Sequence, residues 1–335
     1  MVKRSGGRVE GGDKIQKRRF KLKENALKEV DPKLIETYRT VRQADKKREL
    51  FAKIKEQLKD AKRARRTERK QLRKVLRDRA PAKLIPKTKE RLRREDVTMV
   101  NTGEVDDEAE IRQDEADDEF AKFFRTKRNP KVLITTCRKP NYRTRLFVHE
   151  LKWLLPNSTA RPRKDYQIKE IVGFAKQRGF TDLVIVGERL KKPYELIISH
   201  LPEGPTATFR VSNFFMAKEL ENTAERTEHY PELIMKNFDT RLGRRIARFF
   251  EALFPATRDY EGRAVATFHN QRDYIFLRVH RYIFDSMKEV RIQEMGPRMT
   301  LRLMAIQQGT FDTKFGEYEW FRKKEHDSDK LAWYL

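Results

Sequence analysis

Apolar residues are spaced in two different ways along this chain. Between Lys33 and Ala80 there is neither Gly nor Pro, and Lys, Arg, Glu, Gln, Leu and Ala dominate, residues that favour the helical state. The few large apolar positions, Leu34, Tyr38, Val41, then Phe51, Ile54 and Leu58, keep a spacing of three or four, which is one narrow helical seam. Asp31-Pro32 offers an N-cap and a first-turn proline, and Pro81 and Pro86 close the run. The expectation is a basic helix, roughly 70 Å long if continuous at about 1.5 Å per residue. One thin seam cannot build a core, so the helix either rests on a partner protein or RNA, or frays without contact.

From Asn129 onward the pattern becomes that of a packed domain. Lys131–Thr136 reads as a buried strand, Arg145–Leu155 as a helix with Phe147, Leu151, Leu154 and Leu155 on one face, and Ile168–Gln177 as a second helix stopped by Gly179. Thr181–Val186, Tyr194–His200 and Thr206–Ser212 read as strands. Then the series starts again. Pro231-Glu-Leu-Ile-Met-Lys-Asn-Phe238 repeats the first strand, and Thr240-Arg241-Leu242 opens a helix closing at Leu253-Phe254-Pro255, as Thr144-Arg145-Leu146 opens one closing at Leu154-Leu155-Pro156. Asp182-Leu-Val-Ile-Val is matched to Asp273-Tyr-Ile-Phe-Leu, and Gly204-Pro205 through Arg210-Val211 to Gly296-Pro297 through Arg302-Leu303. The fold class expected is therefore α/β, two similar halves in one domain at 129–321 (about 129–213 and 230–321), after a basic helical extension.

Charge adds a second level of organisation. The chain carries a formal net charge of +26. Residues 1–94 hold 35 Lys/Arg against 13 Asp/Glu, residues 95–119 hold 12 acidic residues and one basic, and the remainder is again basic. This suggests a disordered basic tail (1–30), a basic helical extension (31–94), an acidic flexible linker (95–128), the folded domain, and a C-terminal tail (322–335). So much positive charge calls for an anionic partner. No run of about 18 apolar residues exists to span a bilayer, and Met1–Gly7 has no apolar segment of the secretory kind. Cys137 is the only cysteine, which excludes an intrachain disulfide and fits a reducing compartment. Lys14–Arg19 and Lys62–Arg66 are either nuclear-import signals or solvated charge. The acidic stretch is expected to cover the basic arm when RNA is absent.

No phosphate-cradling Gly-rich loop, nucleophile elbow or metal-ligand spacing is present. No cofactor, metal or catalytic residue is expected, and the acidic stretch lacks the fixed frame that catalytic carboxylates need. The candidates are for RNA contact instead. On the second-half helix Leu242, Ile246, Phe249, Phe250, Leu253 and Phe254 form an apolar face. Arg241, Arg244, Arg245 and Arg248 occupy the rest, with Glu251 the one acid nearby; four unmatched arginines either stay solvated or meet phosphate. Along the next strands His269, Arg272, Arg278, His280 and Arg281 sit among apolar residues. Alternation puts Tyr274, Phe276, Arg278 and His280 on one face, where the aromatics either stack on unpaired bases or belong to the core. Arg298 and Arg302 after the second Gly-Pro turn, and Lys62, Arg63, Arg65 and Arg66 on the basic helix, complete the set.

The stretch Ala266–Leu303, with its Phe268-His269-Asn270-Gln271-Arg272-Asp273-Tyr274-Ile275-Phe276 wording and its Gly296-Pro297-Arg298-Met299-Thr300-Leu301 close, resembles the C-terminal half of the Brix domain, a ribosome-biogenesis module. The resemblance covers about 129–321 and implies two halves like the anticodon-binding domain of certain tRNA synthetases. It also implies a non-enzymatic factor of large-subunit (60S) assembly that binds precursor rRNA within pre-60S particles, works beside a dedicated protein partner, and resides in the nucleus and nucleolus. A Brix-type factor of the small subunit, an RNA-processing enzyme and a pure protein scaffold stay open as alternatives.

Overall fold

The computed structural model of the chain describes residues 30–76, 85–94, 96, 98–100, 105–256, 261–286, 289–311, 316–329 and 331–335, with backbone only at 105–108. The chain divides into two compact units, residues 1–86 and 87–335. The Lys14–Arg19 cluster and Pro81 lie outside the described residues.

The first unit holds α1 (Pro32–Thr40) and α2 (Ala44–Leu76). The expected single helix is broken at Val41–Gln43, where Val41 is extended (φ −68°, ψ 124°). The break lets the apolar seam close on itself. Val30 and Ile54 are buried at 3% and 1% exposure, the Tyr38 and Phe51 rings lie 6.3 Å apart, and the Asp31 amide donates to Gln57 Oε1 at 3.3 Å. The Asp31 carboxylate caps α1, accepting from the Lys33 amide at 3.0 Å. Fold-back thus satisfies part of the seam within the unit. Ile54 is the one buried residue of the 33 in α2, so the stretch beyond Leu58 is a charged helix with no packed face of its own.

The second unit begins with a segment, 87–100, that lies along the end of the domain: Arg93 Nη2 donates to the Trp333 carbonyl at 2.8 Å and the Val100 amide to the Asp239 carbonyl at 2.8 Å. Two helices follow, α3 (Val105–Asp117) and α4 (Ala121–Thr126). The acidic stretch expected to be a flexible linker is therefore largely helical. Then come β1 (Val132–Thr136), α5 (Tyr142–Leu154), β2 (Ser158–Ala160), α6 (Ile168–Gln177), β3 (Asp182–Arg189), β4 (Lys192–His200) and β5 (Thr206–Phe215). The second series is β6 (Glu232–Lys236), α7 (Arg241–Glu251), β7 (Ala264–Gln271), β8 (Tyr274–Phe284), β9 (Val290–Glu294), β10 (Arg298–Gln307) and β11 (Tyr318–Phe321).

All strands join one mixed sheet in the order β2-β1-β3-β4-β5-β10-β8-β7-β6, with β9 on β8 and β11 on β10. Each half is built the same way. β1 runs parallel to β3 as β6 runs parallel to β7, and antiparallel hairpins follow through β4 and β5 or β8 and β10. This topology corrects one pairing expected from sequence. The counterpart of Asp182–Val186 is β7, whereas Asp273–Leu277 opens β8, the counterpart of β4. The two Gly-Pro turns do correspond, each leading into the last strand of its half. Both glycines are dictated by backbone: Gly204 and Gly296 have φ of +107° and +65°, and a Cβ there would meet Gly309 backbone at 2.5 Å and Ala217 Cα at 2.8 Å.

Strand alternation sorts the side chains into two layers. On one face Val132, Ile134, Phe209, Val211, Ile275, Leu277, Leu301 and Leu303 meet Phe147, Leu151 and Leu154 of α5 and Ile246, Phe249 and Phe250 of α7. On the other, Ile171, Val172 and Ala175 of α6 cover Leu133, Leu183 and Ile185. Among the described residues the second half has no counterpart of α6 on the connection of residues 252–263 between α7 and β7. Its outer sheet face therefore lacks an α-helical cover like that of the first half among the described residues.

The β7–β8 hairpin turns on Arg272 and Asp273, both left-handed (φ 56° and 62°), the geometry of a two-residue type I′ turn. Asp273 also pins residues 322–335, expected as a tail, onto the domain. Its Oδ1 accepts from the Tyr334 and Leu335 amides at 2.7 and 3.0 Å, and its Oδ2 from Arg322 at 2.8 Å, with both side chains only 4% exposed. Asp273→Asn keeps a residue that tolerates the left-handed turn but removes the buried carboxylate of Arg322, leaving it Asp327 at 3.2 Å and the Leu303 carbonyl at 3.1 Å. It is expected to cost about 1–3 kcal/mol, measured as a lowered urea midpoint at unchanged m-value.

Candidate nucleic-acid interface

The arginines of α7 do not stand alone. Thr240 caps the helix by accepting from the Gly243 amide at 2.9 Å, and the buried apolar face fixes which way the arginines point. They point at α3 and the turn after it. Arg241 pairs with Glu110 at 2.6 Å and lies 3.9 Å from Asp114. Arg245 reaches Asp118, Glu119 and Glu319 at 3.4, 2.6 and 2.9 Å. Arg248 grips both Asp118 oxygens at 2.5 and 2.7 Å and lies 3.6 Å from Glu115. The expectation that these arginines lack acidic partners is thus overturned: the acids arrive from the segment expected to be a linker. Arg244 lines the same cleft with no ion pair among the described residues, and its buried Nε has no hydrogen-bond partner there.

The contacts form two layers. Beneath, Arg248 and Arg245 sit over the fully buried Phe120 ring at 6.0 and 5.6 Å, and Phe120 packs edge-on against Phe249 at 5.0 Å. Burial alone would lower the proton affinity of Arg245, but Glu319 and Glu119 raise it above its usual value. Burial likewise pushes the Glu119 carboxyl up, and its own backbone together with Arg245 brings it below the usual range. Above this layer, Glu110, Asp114 and Arg241 are each half exposed or more.

The second candidate surface is the uncovered sheet face. β5 and β10 run antiparallel with Arg210 directly opposite Arg302 and Leu301 opposite Val211. The two arginines are equivalent positions of the repeat, so they flank its pseudo-twofold axis. Both point away from the core, because their neighbours Phe209, Val211, Leu301 and Leu303 are buried. Arg302 lies over the Tyr274 ring at 4.8 Å and pairs with Asp327; Arg210 and Arg189 each lie 5.2 Å from the Tyr194 ring. Next along, Phe276 faces Thr300 and His269. Tyr274, 39% exposed, and Phe276 therefore belong to the outer face and not to the core.

Arg298 pairs with Glu294 through both guanidinium ends, and Arg278 lies 4.0 Å from the same carboxylate. Arg298 holds Glu294 below the usual carboxylate range. His269 and His280 on this face are pushed below the ordinary imidazole value, first by burial. Arg272 pairs with Glu90. Arg281, expected for RNA contact, lies toward the far end of β8 opposite the buried Ala264, on the core-facing side of the sheet, and its buried Nε has no hydrogen-bond partner among the described residues. Lys62, Arg63, Arg65 and Arg66 are exposed on α2, with Arg63 3.6 Å from Asp60. The arginine that the sequence argument passed over is Arg210, which has no ion pair among the described residues. Its equivalence to Arg302 in the repeat was the signal for it.

Comparison with known proteins bears on this arrangement. The Brix domain matches residues 137–305, half of the chain. Ribosome production factor 1 of Pongo abelii is 44% identical over 88% of this chain and 84% of its own length. Ribosome production factor 1 of Saccharomyces cerevisiae is 40% identical over 75% of this chain and 85% of its own length. The chain belongs to the Brix-domain family. A solved structure, a probable ribosomal biogenesis protein from Aeropyrum pernix K1, aligns with 52% of this chain and 96% of its own at a TM-score of 0.40 and 20% identity.

The Brix match contains the arginines but few of their partners. Glu294 lies within it, whereas Glu90, Glu110, Asp114, Glu115, Asp118, Glu119, Glu319 and Asp327 all lie outside. The Brix fold supplies a basic frame, and flanking segments supply the anions that occupy it.

Glu251, on the last turn of α7, is held above its ordinary carboxyl value, chiefly by burial, with Glu115 adding to the effect against Arg248 and Arg244. The folded chain therefore keeps a proton there that the unfolded chain releases. That contribution is present below about pH 4.5 and is lost as pH rises through the folded value. Glu251→Gln is expected to raise thermal stability at pH 7.5 relative to the parent, with the difference vanishing near pH 4, as read by melting curves across that range.

Proposed function

We propose that this chain is a non-enzymatic factor of ribosome biogenesis that binds precursor rRNA during large-subunit maturation, in the nucleolus and nucleus, beside a protein partner of the pre-60S particle. Family membership and the relatives named ribosome production factor 1 support the biogenesis role. The observation that carries RNA binding is the outer sheet face about the β5–β10 seam, where Arg210 and Tyr194 of the first half lie beside Arg302, Arg278, Arg298, Tyr274 and Phe276 of the second. Guanidinium groups offer phosphate forked donors, and aromatic rings beside them stack on unpaired bases. Arg272 extends this surface at the β7–β8 turn.

The basic helix α2, with Lys62, Arg63, Arg65 and Arg66 exposed, serves as a second electrostatic element. A charged helix without an apolar face of its own gains most by lying along phosphate, where counterion release drives association. Neutralising phosphates in this way lets crowded RNA segments approach one another in an assembling particle.

In-cell crosslinking with sequencing of the attached RNA tests the assignment. Sharp peaks in large-subunit precursor RNA are expected; peaks confined to small-subunit precursor overturn the choice of subunit, and absence of RNA overturns the reading. With purified protein and a single-stranded RNA, Arg302→Gln is expected to weaken binding about fivefold, roughly 1 kcal/mol, and to flatten the log K against log salt slope by about 0.7. Because phosphate favours protonated His269 and His280, affinity is expected to rise as pH falls from 7.5 toward 6. An affinity independent of salt and pH would point to a protein-only scaffold.

A further inference from the structure

The arginine row of α7 and the helix laid over it are joined in an unusual way. None of the side chains described in α3 is buried, and Ile111 is its one large apolar residue among them. A helix normally docks by an apolar stripe. Here docking is electrostatic: Glu110 and Asp114 on Arg241, and Glu115 on Arg248. Ion pairs this exposed are individually weak and are screened by salt. The fit is open as well, with a cavity of about 570 Å³ between α3 and α7 whose lining includes Asp114, Asp118, Arg241, Arg244 and Arg248.

Immediately after α3 the situation reverses. Phe120 is fully buried, Ala121 is buried, and Asp118 grips Arg248 through two short bonds at an 11% exposed site. Arg125 fastens the end of α3 by donating to the Ala116 carbonyl at 2.8 Å. Upstream, residues 98–100 are pinned beside Thr240: Val100 is buried, its amide donates to the Asp239 carbonyl at 2.8 Å, and the Arg241 amide donates to the Thr98 carbonyl at 3.0 Å. Between these two anchors, the ion pairs of the described α3 side chains with α7 are exposed ones.

We propose that Arg241 and Arg244, with the outer edge of Arg248, form a binding row for the phosphate backbone of unpaired RNA. In the free protein α3 masks that row with carboxylates at phosphate-like positions. RNA displaces α3 between the residue 98–100 and Asp118–Phe120 anchors, both of which stay in place. Arginines at 241, 244 and 248 share one face of α7, spaced three and four residues apart, so a single strand can follow them. Carboxylates and phosphates compete for the same forked donors, and a polyanion gains counterion release that a tethered helix does not. This proposal rests on the RNA-binding reading above and adds to it the masked site and its release.

The test uses the full chain and an oligouridylate of about 20 nucleotides, long enough to cover several phosphate contacts, with binding followed by fluorescence anisotropy over a salt series. The triple variant Glu110→Gln, Asp114→Asn, Glu115→Gln is expected to bind about tenfold more tightly at low salt. Its salt slope should be steeper by about 1.4, the release expected for two added single-strand contacts. Adding Arg241→Gln and Arg244→Gln to that triple is expected to return both values to those of the parent. A charge-matched control, Glu203→Gln with Glu221→Gln and Glu325→Gln, alters three exposed acids away from α3. An unchanged affinity in the α3 triple, or an equal gain in the control, overturns masking while RNA binding by the parent stands. Absence of salt-dependent binding in every form, parent included, overturns the RNA-binding reading itself and this proposal with it.

Discussion

The antiparallel pairing of β5 with β10 is the constraint on which the rest of the second unit depends. It joins β5 of the first half to β10, its counterpart in the second, so two small sheets become one. With Arg210 opposite Arg302 and Leu301 opposite Val211, the register places the apolar residues of both halves on the same side. A slip of one residue would turn every side chain of one strand over, burying arginine against α5 and α7. The shared core therefore specifies the register, and the register in turn puts two like charges side by side on the outer face. Such a pair is unfavourable unless anions or aromatic faces stand nearby. Asp327, Tyr274 and Tyr194 meet that need in the free protein.

Charge compensation follows a consistent plan. The basic frame lies within the Brix match, and most of the acids that neutralise it come from before and after that span. This is how a chain of net charge +26 keeps its arginines ordered without a partner present. Buried pairs such as Arg322–Asp273 and Arg248–Asp118 are structural, since a stranded charge there is costly. Exposed pairs such as Arg241–Glu110 hold geometry at little cost to remove. The same residue types thus do two jobs, and depth of burial separates them.

The helices were legible in sequence because periodicity and caps are local: α6 falls at Ile168–Gln177 as its pattern and Gly179 indicate, and α5 and α7 bury the apolar faces read from their spacing. The internal repeat was legible too, although strand wording misled at one point. Asp273-Tyr-Ile-Phe-Leu looks like Asp182-Leu-Val-Ile-Val, yet only parallel pairing with the first strand of each half identifies true counterparts, and pairing is not written in a single strand. The outward placement of Tyr274 and Phe276 was undecided for a related reason. Alternation says that they share a face but not which face meets a core.

What the sequence determined by itself is therefore local and compositional: where the strongly periodic helices and the main strands of the repeat form, that the set occurs twice, that two turns demand glycine, and that charge comes in blocks. Tertiary structure decided what those blocks touch. Asp118 and Arg248 lie 130 residues apart in sequence, and Asp273 and Arg322 are 49 apart; no local rule joins them. The seam of the basic helix shows the same limit, since its 3–4 spacing permits one long helix or two folded back. The choice fell to Val30, Tyr38, Phe51 and Ile54, which lose water only when the chain bends at Val41 and brings them together.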